Sequence, residues 1–223
     1  MKKSALFSIA TVGLMVASVF CVNNVKALSG AESADSIACG RDLKPVIYLY
    51  PTEDDTEISV SLDYDGNLVD IIPEFNAENT WNVVADTDGT ITYEGQDYNY
   101  LFWEGDPNFS YDFYSGYCVK GADTEAFLTS TLPQLGLNDA EAAEFKEFWL
   151  PMMTGNEYNV ISFQYDNYTR GAKLTVSPQP DSLIRVFMAW YPSDKYVKIN
   201  PQYLDTPSRS GYTVVEWGGN KVK

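Results

Sequence analysis

Glu57-Ile58-Ser59-Val60-Ser61-Leu62-Asp63 sets apolar Ile58, Val60 and Leu62 between polar neighbours, one in every two residues. That period describes a strand with one dry and one wet face. Asp65-Gly66-Asn67 follows, three residues that tolerate positive φ, so Leu68 to Ile72 is expected to return as a hairpin partner. Upstream, Lys44-Pro45-Val46-Ile47-Tyr48-Leu49-Tyr50-Pro51 is a dense apolar run carrying two prolines, the mark of a buried strand. Downstream the grammar repeats: Trp81 to Ala85, a turn at Asp86-Thr87-Asp88-Gly89, then Thr90 to Tyr93. An aromatic strand, Tyr98-Asn99-Tyr100-Leu101-Phe102-Trp103, and a looser one from Tyr111 to Val119 come next. Turn signals at roughly every 8 to 12 residues point to a sandwich or barrel.

The pattern then changes period. Asp123 is placed to cap a helix carrying Phe127, Leu128 and Leu132, and Asn138 with Glu141 spells a capping box. Phe145, Phe148, Trp149, Met152 and Met153 share one helical face, opposite Glu144 and Glu147, and Pro151 should kink or end that helix. Strand signals resume at Tyr158–Tyr165, Ala172–Ser177, Ser182–Trp190 and Tyr212–Trp217. The expected fold is α+β: a mostly antiparallel, β-sandwich-like domain with a two-helix insertion. Its limits are read as residues 44–219, with the insertion at about 122–154, a flexible lead-in at 28–43 and a tail at 220–223.

Residues 1–27 read as a secretory signal. A basic start at Lys2-Lys3 precedes an apolar stretch from Ala5 to Val22, and Val25-Lys26-Ala27 offers a cleavage site. A lipid-modification site at Cys21 is disfavoured by the bulk of Phe20 just before it. Loss of the leader's three lysines would take the net charge from −16 to −19. Such a chain is repelled by nucleic acid and by anionic membranes, and neither is an expected partner, nor is stable membrane insertion.

The chain has no histidine, which excludes a Ser-His-Asp triad, a Cys-His pair and a His-ligated zinc site. In an oxidising compartment Cys39 and Cys118 would most simply form one disulfide, closing about 80 residues and worth on the order of 4 kcal/mol. Glu53-Asp54-Asp55 and Asp86-Thr87-Asp88-Gly89 hold oxygen ligands but no complete calcium loop, and turn chemistry accounts for them. No metal site and no cofactor are expected.

Lys44 to Pro51, Tyr100 to Gly105, Pro180 to Met188 and Val214-Val215-Glu216-Trp217-Gly218-Gly219 together resemble an uncharacterised family of secreted proteins from Gram-positive, gut-type bacteria. The resemblance implies an exported protein and transfers no activity, ligand or catalytic residue.

Function is therefore read from residues. Glu104 and Glu216 each adjoin a tryptophan, Trp103 and Trp217, and a carboxyl against an indole has its pKa raised toward that of a general acid. Facing one groove, two such groups would equip a glycoside hydrolase. Arg185, the lone charge in Leu183-Ile184-Arg185-Val186-Phe187-Met188, competes with that reading, because it calls for a carboxylate partner such as Glu216 or Glu104. Arg209 reads as a loop residue contacting solvent or a neighbouring carbonyl. Three functions follow: a non-catalytic module binding carbohydrate or a cell-surface polymer through Trp103, Trp217 and Arg185; a hydrolase using the glutamate pair; and an envelope-associated structural protein. The first is preferred.

Overall fold

In the computed structural model, which describes residues 40–222, the proline-bearing run forms β1 (Asp42–Tyr50) and the alternating stretch forms β2 (Thr56–Tyr64). Ile58, Val60 and Leu62 are buried as their spacing requires. β3 (Gly66–Ile72) departs from the expected hairpin. β4 (Thr80–Ala85) and β5 (Ile91–Tyr93) do pair antiparallel across the Asp86–Gly89 turn, with Gly89 at φ +90. The aromatic stretch beyond them is two strands, β6 (Gln96–Tyr98) and β7 (Leu101–Pro107), broken at Asn99 and Tyr100.

β8 (Ser115–Lys120) leads into α1 (Thr124–Thr131) and α2 (Asp139–Met153). Asp123 stands at the N-cap of α1 but makes no side-chain capping bond, whereas Asn138 and Glu141 form the full capping box of α2. Pro151 lies in the last turn of α2. β9 (Tyr158–Gln164), α3 (Asp166–Gly171), β10 (Ala172–Ser177), β11 (Ser182–Ser193), β12 (Asn200–Pro201) and β13 (Thr213–Lys221) complete the order. The sheet extends past the expected 44–219 limits at both ends. Asp42 and Asn220, read as lead-in and tail, are both fully buried.

Two sheets and a helical layer result. The eight-stranded sheet runs β12-β8-β9-β11-β13-β1-β7-β3, and the five-stranded sheet runs β10-β2-β4-β5-β6. This is the expected α+β, sandwich-like fold. β2 has β4 on one side and β10 on the other, so no edge is left for β3, which pairs with β7 in the other sheet. The Asp65-Gly66 turn is thus a corner between sheets. Asp65 donates its N–H to the Gly171 carbonyl at 2.7 Å and accepts from Asn108 N–H at 2.9 Å.

One hydrophobic core fills the space between the sheets, including Ile47, Leu49, Trp81, Trp103 and Phe187. A second lies between the eight-stranded sheet and the helices, where Leu128, Phe145, Trp149 and Met153 meet Val46, Trp190 and Trp217. Gly219 permits that contact: a Cβ there would lie 2.5 Å from the Met188 carbonyl oxygen and 2.7 Å from the Trp149 ring. Among the described residues, no helix is long and apolar enough to cross a membrane.

The disulfide expectation is corrected. Cys118 carries a free thiol, which accepts the Val197 N–H at 3.2 Å, and Cys39 lies outside the described residues. Strand order supplies the reason. Three strands separate β8 from β1, whose start follows Gly40, a spacing of about 19 Å across a sheet. A bridge needs Cα atoms within about 7 Å.

Arg209 does more than the sequence suggested. Besides the Gly136 carbonyl, its Nη1 and Nη2 each donate at 2.8 Å to Glu141, whose side chain is 1% exposed. Tyr50 donates to the same carboxylate at 2.9 Å, and its ring lies 5.1 Å from the guanidinium carbon. Arg209 thereby fastens the segment before β13 to the start of α2. Arg209→Ala should lower stability by about 2 kcal/mol, the scale of hydrogen bonds to a charged group. Urea unfolding measures it, and a loss under about 0.5 kcal/mol would dismiss the clamp.

Candidate functional site

The tryptophans are not surface platforms. Trp81, Trp103, Trp149, Trp190 and Trp217 are all at 0% exposure, and among the described residues the most exposed aromatics are tyrosines, Tyr203 at 89% and Tyr114 at 72%. Trp103 and Trp217 are core residues on opposite faces of the eight-stranded sheet. Arg185 is nearly as enclosed, its side chain 8% exposed. Its Nε donates to Glu216 Oε2 at 2.6 Å, and its guanidinium lies 4.8 Å from the Tyr168 ring centroid. Trp103 Nε1 donates to the other Glu216 oxygen at 3.3 Å. These three residues thus make a buried polar centre between the sheets, not a binding surface.

Strand alternation separates the two glutamates. On β7, Leu101 and Trp103 join the inter-sheet core with Glu216, so Phe102 and Glu104 turn to the opposite face, toward the helices. Glu104 accepts the Lys44 N–H there at 3.2 Å, and burial raises its pKa above the ordinary carboxylate range. Carboxyls on opposite sides of a sheet cannot flank one glycosidic bond. That arrangement removes the Glu104–Glu216 pair as catalytic equipment.

The helix-side face does hold a cleft. Lys44 interrupts β1 with φ 52, a left-handed conformation unusual for a side-chain-bearing residue, at a register break between Leu43 and Val46. The irregularity gives its N–H to Glu104 and sends its ammonium into a ring of aromatics. Nζ lies 3.3 Å from the Tyr100 hydroxyl and 4.9, 5.9 and 5.5 Å from the centroids of Tyr100, Phe148 and Trp217. Such contacts hold a cation without an anionic partner. Among the described residues, Lys44 has no ion pair. Backbone strain of this kind concentrates at functional positions.

The opposite wall comes from α2. Glu144 and Glu147, three residues apart, line it together with Phe148, which follows Glu144 by four residues and so shares their side of the helix instead of lying opposite them as the sequence reading had it. Tyr48 donates to Glu144 at 2.9 Å, and its own pKa is raised by burial and by that carboxylate. Lys44, Asn99, Tyr100, Glu144, Glu147 and Phe148 line an open cleft of about 590 Å³. The cleft offers ring faces for apolar C–H surfaces, carboxylates and an amide for hydroxyl groups, and one ammonium donor. No group of three or more His, Cys, Asp or Glu side chains among the described residues is arranged to hold a metal.

Sequence reading missed this cleft because its members come from β1, the β6–β7 break and α2, which are adjacent only after folding. The one local signal was the polar stripe of α2.

The chain is similar to an uncharacterised protein of Butyrivibrio fibrisolvens, described as lying in the bglA 3′ region, with 70% identity over 79 residues, covering 35% of this chain and 82% of that protein. No family model matches the chain. No solved structure matches it.

Proposed function

The chain belongs to the same family as that uncharacterised Butyrivibrio fibrisolvens protein, and from this premise we propose an exported, non-catalytic module whose helix-side cleft binds a carbohydrate or a hydroxyl-rich cell-surface polymer. The observation that carries the reading is the cleft itself: Tyr100 and Phe148 beside Glu144, Glu147 and Lys44. Sugars present apolar faces to rings and hydroxyls to carboxylates, and this lining supplies both at once. Export rests on the basic start and apolar run of residues 1–27, which lie outside the described residues. The resemblance read in the four sequence motifs supports the same address.

The test is a thermal-shift and calorimetric panel of soluble neutral oligosaccharides against the protein. Binding to the native state raises the melting temperature by mass action. Phe148→Ala and Glu147→Gln should each weaken the best ligand about tenfold, or about 1.4 kcal/mol. A panel with no shift, or variants that bind as well as the parent, would reject the cleft as the binding site.

A further inference from the structure

The helix-side cleft is unevenly charged. Glu144 and Glu147 are acids, and Lys44 is the only base in its lining. That base is already engaged. Its ammonium donates to the Tyr100 hydroxyl at 3.3 Å and lies among the rings of Tyr100, Phe148 and Trp217. Among the described residues neither glutamate forms an ion pair, with Lys44 or with any other base.

The acids are largely unengaged. Glu144 Oε2 accepts from the Tyr48 hydroxyl at 2.9 Å. Among the described residues no side-chain hydrogen bond reaches Glu144 Oε1 or either oxygen of Glu147, and Glu147 is exposed. Spacings of three and four along α2 set Glu144, Glu147 and Phe148 side by side. One wall of the cleft therefore presents carboxylate oxygens without protein donors beside a phenyl ring.

Such a wall discriminates among glycans by charge. A sugar hydroxyl can donate to a carboxylate but leaves its charge uncompensated. A protonated amine does both, and hydrogen bonds between ionised groups are roughly twice as strong as neutral ones. An anionic glycan meets like charge in the cleft and in a chain of net charge −16. The rings complete the match. Tyr100 and Phe148 already lie against the Lys44 ammonium, so the cleft accommodates an alkylammonium, and a ring face also suits the C–H groups of a sugar.

We propose that the cleft prefers a glycan carrying free amino groups, a glucosamine-type polymer, with one ammonium held by Glu144 and Glu147 and the sugar face laid on Phe148. The proposal rests on the cleft being the binding site and names the ligand class it selects. Lys44 repels a second ammonium and so confines it to the α2 wall.

The experiment is calorimetric titration of the full chain at physiological salt and mildly acid pH, where amino sugars are protonated. Three probes are compared: glucosamine hexamer, its fully N-acetylated counterpart, and hexalysine as a cation without sugar. Glucosamine hexamer should bind at least about tenfold more tightly than either of the others. The Glu144→Gln/Glu147→Gln variant should bring the two sugar hexamers within about twofold of each other. Its melting temperature should stay within about 2 °C of the parent, as expected of surface changes. The proposal is overturned if the acetylated hexamer or hexalysine binds as tightly, if the variant keeps the preference, or if glucosamine hexamer does not bind. Tight binding of the acetylated hexamer that Phe148→Ala weakens would uphold the cleft as a glycan site and overturn the amine preference alone.

Discussion

Arg185→Met should destabilise the protein by about 3–5 kcal/mol, the cost of stranding a buried charge without its partner. Arg185 and Glu216 face each other across the parallel β11–β13 pair, and their side chains are 8% and 0% exposed. Methionine fills much of the arginine's volume, so the loss reports the carboxylate left behind rather than a cavity. The double variant Arg185→Met/Glu216→Leu should recover most of the loss, because a hydrophobic replacement of a buried pair is often neutral. Recovery should fall short by about 1 kcal/mol, since Trp103 Nε1 loses its acceptor. Urea unfolding of the parent, Arg185→Met, Glu216→Leu and the double variant completes the cycle. A single-variant loss below about 1 kcal/mol would show that the pair is not energetically buried.

The second large effect depends on pH. Burial pushes the Asp42 carboxyl up to about 6, opposed by hydrogen bonds from Tyr111, Asn220 and Tyr64 and reinforced by nearby Glu216. Tyr111 donates at 2.6 Å, and Tyr64 and Asn220 at 2.8 Å. In the unfolded chain the same group releases its proton near 3.8. Between those values the folded state binds more protons than the unfolded one, so stability falls as pH rises from about 4 to about 6 and then levels off. The full span is worth about 3 kcal/mol at most. Asp42→Asn imitates the protonated group: its oxygen accepts from Tyr111 and Asn220, and its amide donates to the Tyr64 hydroxyl. The variant should be more stable than the parent at pH 7 by up to about 3 kcal/mol and should lose that slope. Unfolding free energies at pH 4.5 and pH 7 decide it, and a variant no more stable than the parent at pH 7 would refute it.

Both effects arise in the polar centre between the sheets, and the sequence disclosed its halves unequally. Arg185 was visible as one charge in an apolar run, and Glu216 was one of two acids within reach. The choice of Glu216 needed the register of β11 on β13. Asp42 was invisible, because its surroundings read as a polar lead-in; its burial depends on Asn220, Tyr111 and Tyr64, all distant in sequence. The cleft follows the same rule. Local pattern exposes which side of α2 is wet, but Lys44 meets Phe148 only because a bulge in β1 turns it toward the helix.

Periodicity and capping residues report contacts between neighbours along the chain, and they were enough to determine most strands, the helices α1 and α2 and a layered α+β fold, though not α3 or β12. Partner choice was left to the tertiary structure. β3 pairs with β7 rather than β2, Cys118 stands three strands from the start of β1, and Glu104 looks away from Glu216. Each outcome turns on which edge or face another strand already occupies, a competition among segments far apart in sequence that no local pattern encodes.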